Sequence, residues 1–214
     1  AEYFQEIARI VRQHGGLFIS DEVQTGFGRT GKHWFGIEHW GIEPDIITCA
    51  KAMANGTPVG ATVTTPEIAA AITGAQISTF GGNPVTATAA LATIEVIEEE
   101  GLLENSATLG LEFADGLEQL KASHEIVGDV RGMGLMQAIE LVHDKESRQP
   151  APTAMNALLE ATRENGLLIG KGGLYGNSVR LSPPLNITKA NVDEAIDILD
   201  KSLSHVEQAE TGNS

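Results

Sequence analysis

Two periodicities alternate over the first hundred residues. "AEYFQEIARIVRQHGG" spaces its apolar residues three and four apart and stops on two glycines, which predicts an opening amphipathic helix. "GLFISDE", "DIITCAK" and "GATVTT" are instead short apolar, β-branched runs set between glycine-rich or helical stretches, and they predict strands of a mostly parallel sheet. "NPVTATAALATIEVIEEEG" then predicts a long helix with Asn83 as its cap, Pro84 in its first turn and Gly101 at its end. Beyond residue 100 the pattern changes. A helix over "NSATLGLEFADGLEQLKA" leads to two strand-like runs in "EIVGDVRGMGLMQAIEL", joined as a hairpin at Gly132 to Gly134. A charged loop with prolines, another helix, a short strand "GLLIG", a glycine loop "KGGLYGN", the strand "SVRLSPP" and a last helix from Thr188 complete the chain.

The fold class is therefore α/β over residues 1–100, followed by a smaller α+β domain over 101–206, with "EQAETGNS" (207–214) as a frayed tail. Three parallel-type strands opened by one helix leave an unpaired edge and an uncovered face. The chain is accordingly expected to be incomplete on its N-terminal side.

Composition narrows the function. A 42% hydrophobic content in 214 residues suits a globular core, and no apolar run approaches the roughly 20 residues of a membrane span. The opening helix lacks the basic start and apolar centre of a signal peptide. The expected compartment is the cytoplasm, or the mitochondrial matrix were a targeting segment to precede Ala1. With 14 basic against 29 acidic side chains the net charge is −15, spread along the chain, which argues against nucleic acid as a partner. The single cysteine, Cys49, rules out an internal disulfide framework and a cysteine-based metal cluster, and the six histidines show no ligand spacing, so no metal site is expected.

"GFGRTGK" (Gly26 to Lys32) has the G-x-x-x-x-G-K spacing of a phosphate loop. His33 stands where a metal-binding hydroxyl is needed, and glycines and a proline follow where a helix should start. The strand signal ends earlier, at the acid pair Asp21-Glu22. Carboxyl ends of strands are where open α/β sheets bind ligands. Lys51 likewise leaves the end of the apolar run "DIITCA". Taken alone, it reads as a lysine whose stem crosses the sheet edge and whose amine reaches water. Beside Asp21 on a neighbouring parallel strand it becomes half of a pair: an amine able to form a Schiff base and an acid able to hold a proton on a heterocyclic nitrogen. Pyridoxal phosphate requires both.

"LFISDEVQTGFGRTGKHWFGIEHWGIEPDIITCAKAMANGTPVGA", "STFGGNPVTATAALATIEVIEEEGLL", "VRGMGLMQAIEL" and "VRLSPPLNIT", in this order, resemble the class III (omega-type) aminotransferases of fold type I. The resemblance covers nearly the whole chain and corresponds to the C-terminal half of such an enzyme. It implies pyridoxal 5'-phosphate as cofactor, with Lys51 as the Schiff-base lysine, Asp21 on the pyridine nitrogen, Val23 packed on the ring and Gln24 near the ring's oxygen substituent. It further implies that Thr79 reaches the cofactor phosphate of a neighbouring subunit in a homodimer with shared active sites, and that Arg180 binds the substrate carboxylate. Without the resemblance, Arg180 reads equally as a surface ion-pair residue. The activity implied is transfer of an amino group from an amino acid or ω-amine to a 2-oxo acid, of the alanine-glyoxylate or 4-aminobutyrate type. The alternatives are a decarboxylase or aminomutase using the same lysine and aspartate, or a non-catalytic dimerising fragment.

Overall fold

The computed structural model describes residues 2–211, which form helices α1 (Tyr3–Gln13), α2 (Pro66–Ala70), α3 (Pro84–Glu99), α4 (Leu102–Ser123), α5 (Pro152–Glu164) and α6 (Lys189–Thr211). The strands are β1 (Ile19–Asp21), β2 (Ile46–Cys49), β3 (Ala61–Thr64), β4 (Val127–Met133), β5 (Met136–Leu141), β6 (Gly170–Gly172) and β7 (Ser178–Leu181). The chain divides into two compact units between Glu104 and Asn105, within the first turn of α4.

In the first unit the strand order is β1-β2-β3. β1 and β2 are parallel, with Asp21 opposite Thr48. β2 and β3 are antiparallel, with Cys49 opposite Ala61. The layer expected to be mostly parallel is thus mixed over these strands. The physical reason is the connection: residues 50–60 hold one 3-10 turn (Lys51–Ala54) and the left-handed Asn55 and Gly56, which is short of the dozen or more residues of a parallel crossover. Ala8 of α1 packs with Ile37 and Ile42, and Phe4, Phe18, Phe35 and Trp40 close around them. The Asp45 carboxylate accepts the Phe18 N–H at 2.7 Å, which fixes where β1 begins against β2 and holds that carboxyl below its ordinary range. Helix α3 starts as its sequence predicts, with the Asn83 side chain accepting the Thr86 N–H at 3.1 Å and Pro84 in the first turn. It packs on the 3-10 turn that begins with Lys51.

The second unit is a four-stranded antiparallel sheet of order β4-β5-β7-β6, with α4, α5 and α6 contributing to its core. The expected hairpin forms as β4-β5, but it turns on Gly134 and Leu135 rather than at Gly132 to Gly134, because Gly132 and Met133 remain in β4 opposite Gln137 and Met136. The strand expected over "GLLIG" forms instead at Gly170–Gly172, because these residues, and not the apolar ones before them, pair with β7. Leu117, Leu135, Ile139, Leu141, Leu199 and Leu203 are fully buried, and each such side chain contributes about 1.5–3 kcal/mol on leaving water. Thr188 opens α6 by a reciprocal cap with Asn191. The helix runs through 207–211, where fraying was expected. Glu207 is held there: its carboxylate bonds the buried His124 ring at 2.9 Å and accepts the Ile126 N–H at 3.2 Å. Residues 212–214 of the expected tail lie outside the described residues.

Candidate active site

The alternation of β1 sends consecutive acids to opposite sides. Asp21 is exposed and Glu22 is only 2% exposed. One Asp21 oxygen accepts the Val23 N–H at 3.1 Å, so the chain turns immediately after the strand and the carboxylate stays at its carboxyl end. Val23 is half-buried and Gln24 exposed on this turn.

The other side of the rim comes from β2. Ala50 is extended, and Lys51 follows at φ 47°, a left-handed conformation that a lysine adopts only under constraint. Its side chain is exposed. Because β1 and β2 are hydrogen-bonded neighbours running the same way, an accessible acid and an accessible amine stand at the same end of two adjacent strands. These are the groups a pyridoxal cofactor requires, and they stand where an open sheet admits a ligand.

Glu22 was not singled out in the sequence, where it reads as one more acid. Its carboxylate accepts hydrogen bonds from the Ser20 hydroxyl at 2.8 Å, the Thr25 hydroxyl, the Gly36 N–H at 2.8 Å and the Ile37 N–H at 2.9 Å. The sequence signals available were the hydroxyls at 20 and 25 flanking an acid at a strand end. Burial, together with the negative charge of Glu22, pushes the Cys49 thiol up, so this cysteine is an inert packed group.

In the loop with phosphate-loop spacing, four backbone N–H groups are already engaged within the protein. The N–H of Gly26 donates to Glu22, that of Gly28 to Trp34, that of Gly31 to Gly28 and that of Lys32 to Leu103. An anion cradle needs such groups pointing at the ligand. Arg29 within the loop is half-buried, and this desolvation lowers its pKa from the ordinary value. Among the described residues no group of histidine, cysteine and acid side chains is arranged to hold a metal ion, and no helix is long and apolar enough to cross a membrane.

Thr79 lies in the first unit on the segment between α2 and α3, every residue of which from 71 to 82 is exposed. Its neighbours Ile77 and Phe80 are 93% and 82% exposed. Arg180 belongs to the second unit. It sits in β7 opposite Ala138 of β5 and Gly170 of β6, with its side chain on the exposed face. The stem crosses Gly172, where an added Cβ would come within 2.8 Å of Arg180 Cδ. Arg180 also borders a cleft of about 880 Å³ lined by Phe113, Leu167, Pro183, Ile187 and Glu194 among others.

The family model for aminotransferase class-III matches residues 1–203. The chain is 50% identical over 195 residues to alanine–glyoxylate aminotransferase 2 homolog 2, mitochondrial, of Arabidopsis thaliana, covering 91% of this chain and 41% of that protein. It is 42% identical over 213 residues to the leucine/methionine racemase of Thermococcus litoralis, covering 99% and 47%. Among solved structures, a phospholyase from Arthrobacter in complex with phosphoethanolamine superposes with a TM-score of 0.92 at 38% identity, covering 95% of this chain and 49% of the other. The chain thus spans less than half the length of these relatives. By its strand-end aspartate and lysine, its fold and these likenesses, the chain belongs to the class III aminotransferase family, of fold type I.

Proposed function

We propose that this chain carries the lysine, the aspartate and the substrate arginine of a pyridoxal 5'-phosphate-dependent aminotransferase, which moves an amino group from an amino acid or ω-amine to a 2-oxo acid in the manner of the alanine-glyoxylate or 4-aminobutyrate types. The observation that supports this most directly is the exposed pair Asp21 and Lys51 at the carboxyl ends of the parallel strands β1 and β2. The names of the relatives span transamination, racemisation and a phospholyase reaction, so the reaction class rests on experiment.

Pyridoxal phosphate, when bound, supplies an electron-withdrawing ring that lets the substrate's α-carbon release a proton. Asp21 would accept a hydrogen bond from the ring nitrogen and keep the proton there. Val23 would pack against the ring, and Gln24 would donate toward its oxygen substituent. Lys51 would hold the cofactor covalently, and its amine would move the proton at the substrate's α-carbon as general acid and base. Arg180 presents a planar fork matched to a carboxylate and so sets the substrate's direction. Thr79, on its exposed segment, would reach the cofactor phosphate of a neighbouring subunit in a homodimer with shared sites.

The test is amino-group transfer by the longest polypeptide that carries this sequence. Amino acids, β-alanine and 4-aminobutyrate are offered as donors, and pyruvate and glyoxylate as acceptors. Cofactor-dependent formation of alanine or glycine is expected. Carbon dioxide release, an intramolecular amino shift, racemisation or phosphate release without transfer would replace this reading by another reaction of the family.

A further inference from the structure

We propose that Glu22 is the positioning residue that holds Asp21, and with it the turn bearing Val23 and Gln24, in register at the cofactor edge; the inference rests on the function proposed above. Every polar atom of this residue is engaged. Its N–H donates to Thr48 O at 3.0 Å, which extends the β1-β2 ladder one residue past Asp21, and its carbonyl accepts the Gly26 N–H at 2.9 Å. Each carboxylate oxygen takes one hydroxyl and one backbone N–H: Ser20 and Ile37 on Oε1, Thr25 and Gly36 on Oε2. The side chain thereby ties three segments at one point: the last strand residues, the turn after them, and the start of the 3-10 helix Gly36–Trp40.

Two features show that the knot is specific. Residue 36 has no room for a larger side chain, since a Cβ there would stand 2.9 Å from Thr25 Cβ and 3.3 Å from Glu22 Oε2. And only an acceptor-only group satisfies the site. A glutamine of the same shape would set its NH₂ against the Gly36 N–H in one orientation and against the Ile37 N–H in the other. The two hydroxyls can rotate to accept; the two amides cannot. Because the Asp21 side chain is exposed and bonds the Val23 N–H of the turn that follows it, its direction follows the residue that anchors that turn.

The experiment uses the longest polypeptide carrying this sequence, with Glu22→Gln compared against Asp21→Asn, Glu38→Gln and wild type. Glu38 is an exposed acid of the 3-10 helix whose carboxylate accepts the Phe35 N–H and lies 3.8 Å from the His33 ring. The first readout is the midpoint of the pH titration of bound cofactor followed by visible absorbance. The second is amide exchange at Gly36 and Ile37 without cofactor. Glu22→Gln is expected to move the midpoint in the same direction as Asp21→Asn and to speed exchange at 36 and 37 by about tenfold or more, the effect of leaving buried donors unpaired. Glu38→Gln is expected to leave the midpoint at the wild-type value. Faster exchange with an unmoved midpoint makes Glu22 a fold residue only and overturns the inference. An unmoved midpoint in Asp21→Asn overturns the function reading, and the inference with it. Should Glu22→Gln not fold, Gly36→Ala attacks the same knot from its far side and must move the midpoint likewise.

Discussion

Gly172 lies so close beneath Arg180 that a Cβ at position 172 would stand 2.8 Å from the arginine's Cδ. The edge strand β6 is thus a bare shelf on which the arginine stem rests, and the direction of the guanidinium depends on the absence of a side chain there. Arg180→Ala in the active polypeptide is expected to raise KM for carboxylate-bearing donors by about 30-fold or more, corresponding to roughly 2 kcal/mol for a deserted ion-pair partner. Amines without that carboxylate should change little. Gly172→Ala should raise KM in the same direction by less. Equal losses for both donor classes would make Arg180 a scaffold residue.

Lys51 and Asp21 separate by chemistry. Borohydride reduction of the cofactor-loaded polypeptide, followed by peptide mapping, is expected to place the label on Lys51; a label on Lys32 or Lys171 would refute the assignment. Asp21→Asn is expected to lower kcat far more than it raises KM, because the contact to the ring nitrogen matters most when charge develops in the transition state. Comparable changes in both constants would assign Asp21 a structural part.

His124 sets a pH dependence of stability. Its ring is buried between Asp200 and Glu207, each 2.9 Å away. Burial alone would lower its pKa, but the bonds to the two carboxylates prevail and raise it above the ordinary value. A raised folded pKa means that the stabilisation is complete below about pH 6.5, the unfolded value, and is lost as pH rises through the folded one. Melting temperatures of wild type against His124→Gln should therefore differ most near pH 5.5 to 6 and converge in the alkaline range. A difference that does not vary with pH would show that the ring acts by packing.

The two units differ in how much they enclose. Leu117 is fully buried in a core built from all three long helices and the sheet of the second unit, whereas the cluster around Ala8, Ile37 and Ile42 is small and Leu17, Ile19 and Val63 stay more than half exposed. Hydrogen exchange on the 214-residue chain is expected to protect the amides of β5 and β7 well beyond those of β1 to β3. Leu117→Ala should destabilise the second unit by about 2–5 kcal/mol in denaturant titration. Equal protection of both sheets would contradict this ordering.

Sequence alone sufficed for what is local. The cap at Asn83, the helix periods, the existence of the β4-β5 hairpin and the strand-end places of Asp21 and Lys51 follow from short-range spacing, and each is found in the structure. Tertiary structure decided what depends on a second segment. β3 runs antiparallel because its connection is too short to cross over, and β6 forms on glycines because β7 is there to pair with them. Glu22 and Asp21 are adjacent acids, and nothing in their local spacing gives Glu22 a part of its own. One becomes a buried knot while the other stays exposed because the backbone of Gly36 and Ile37, some fourteen residues away, folds back under the strand end to meet one side of it. Burial and hydrogen-bond partners belong to the meeting of segments, and no residue carries them by itself.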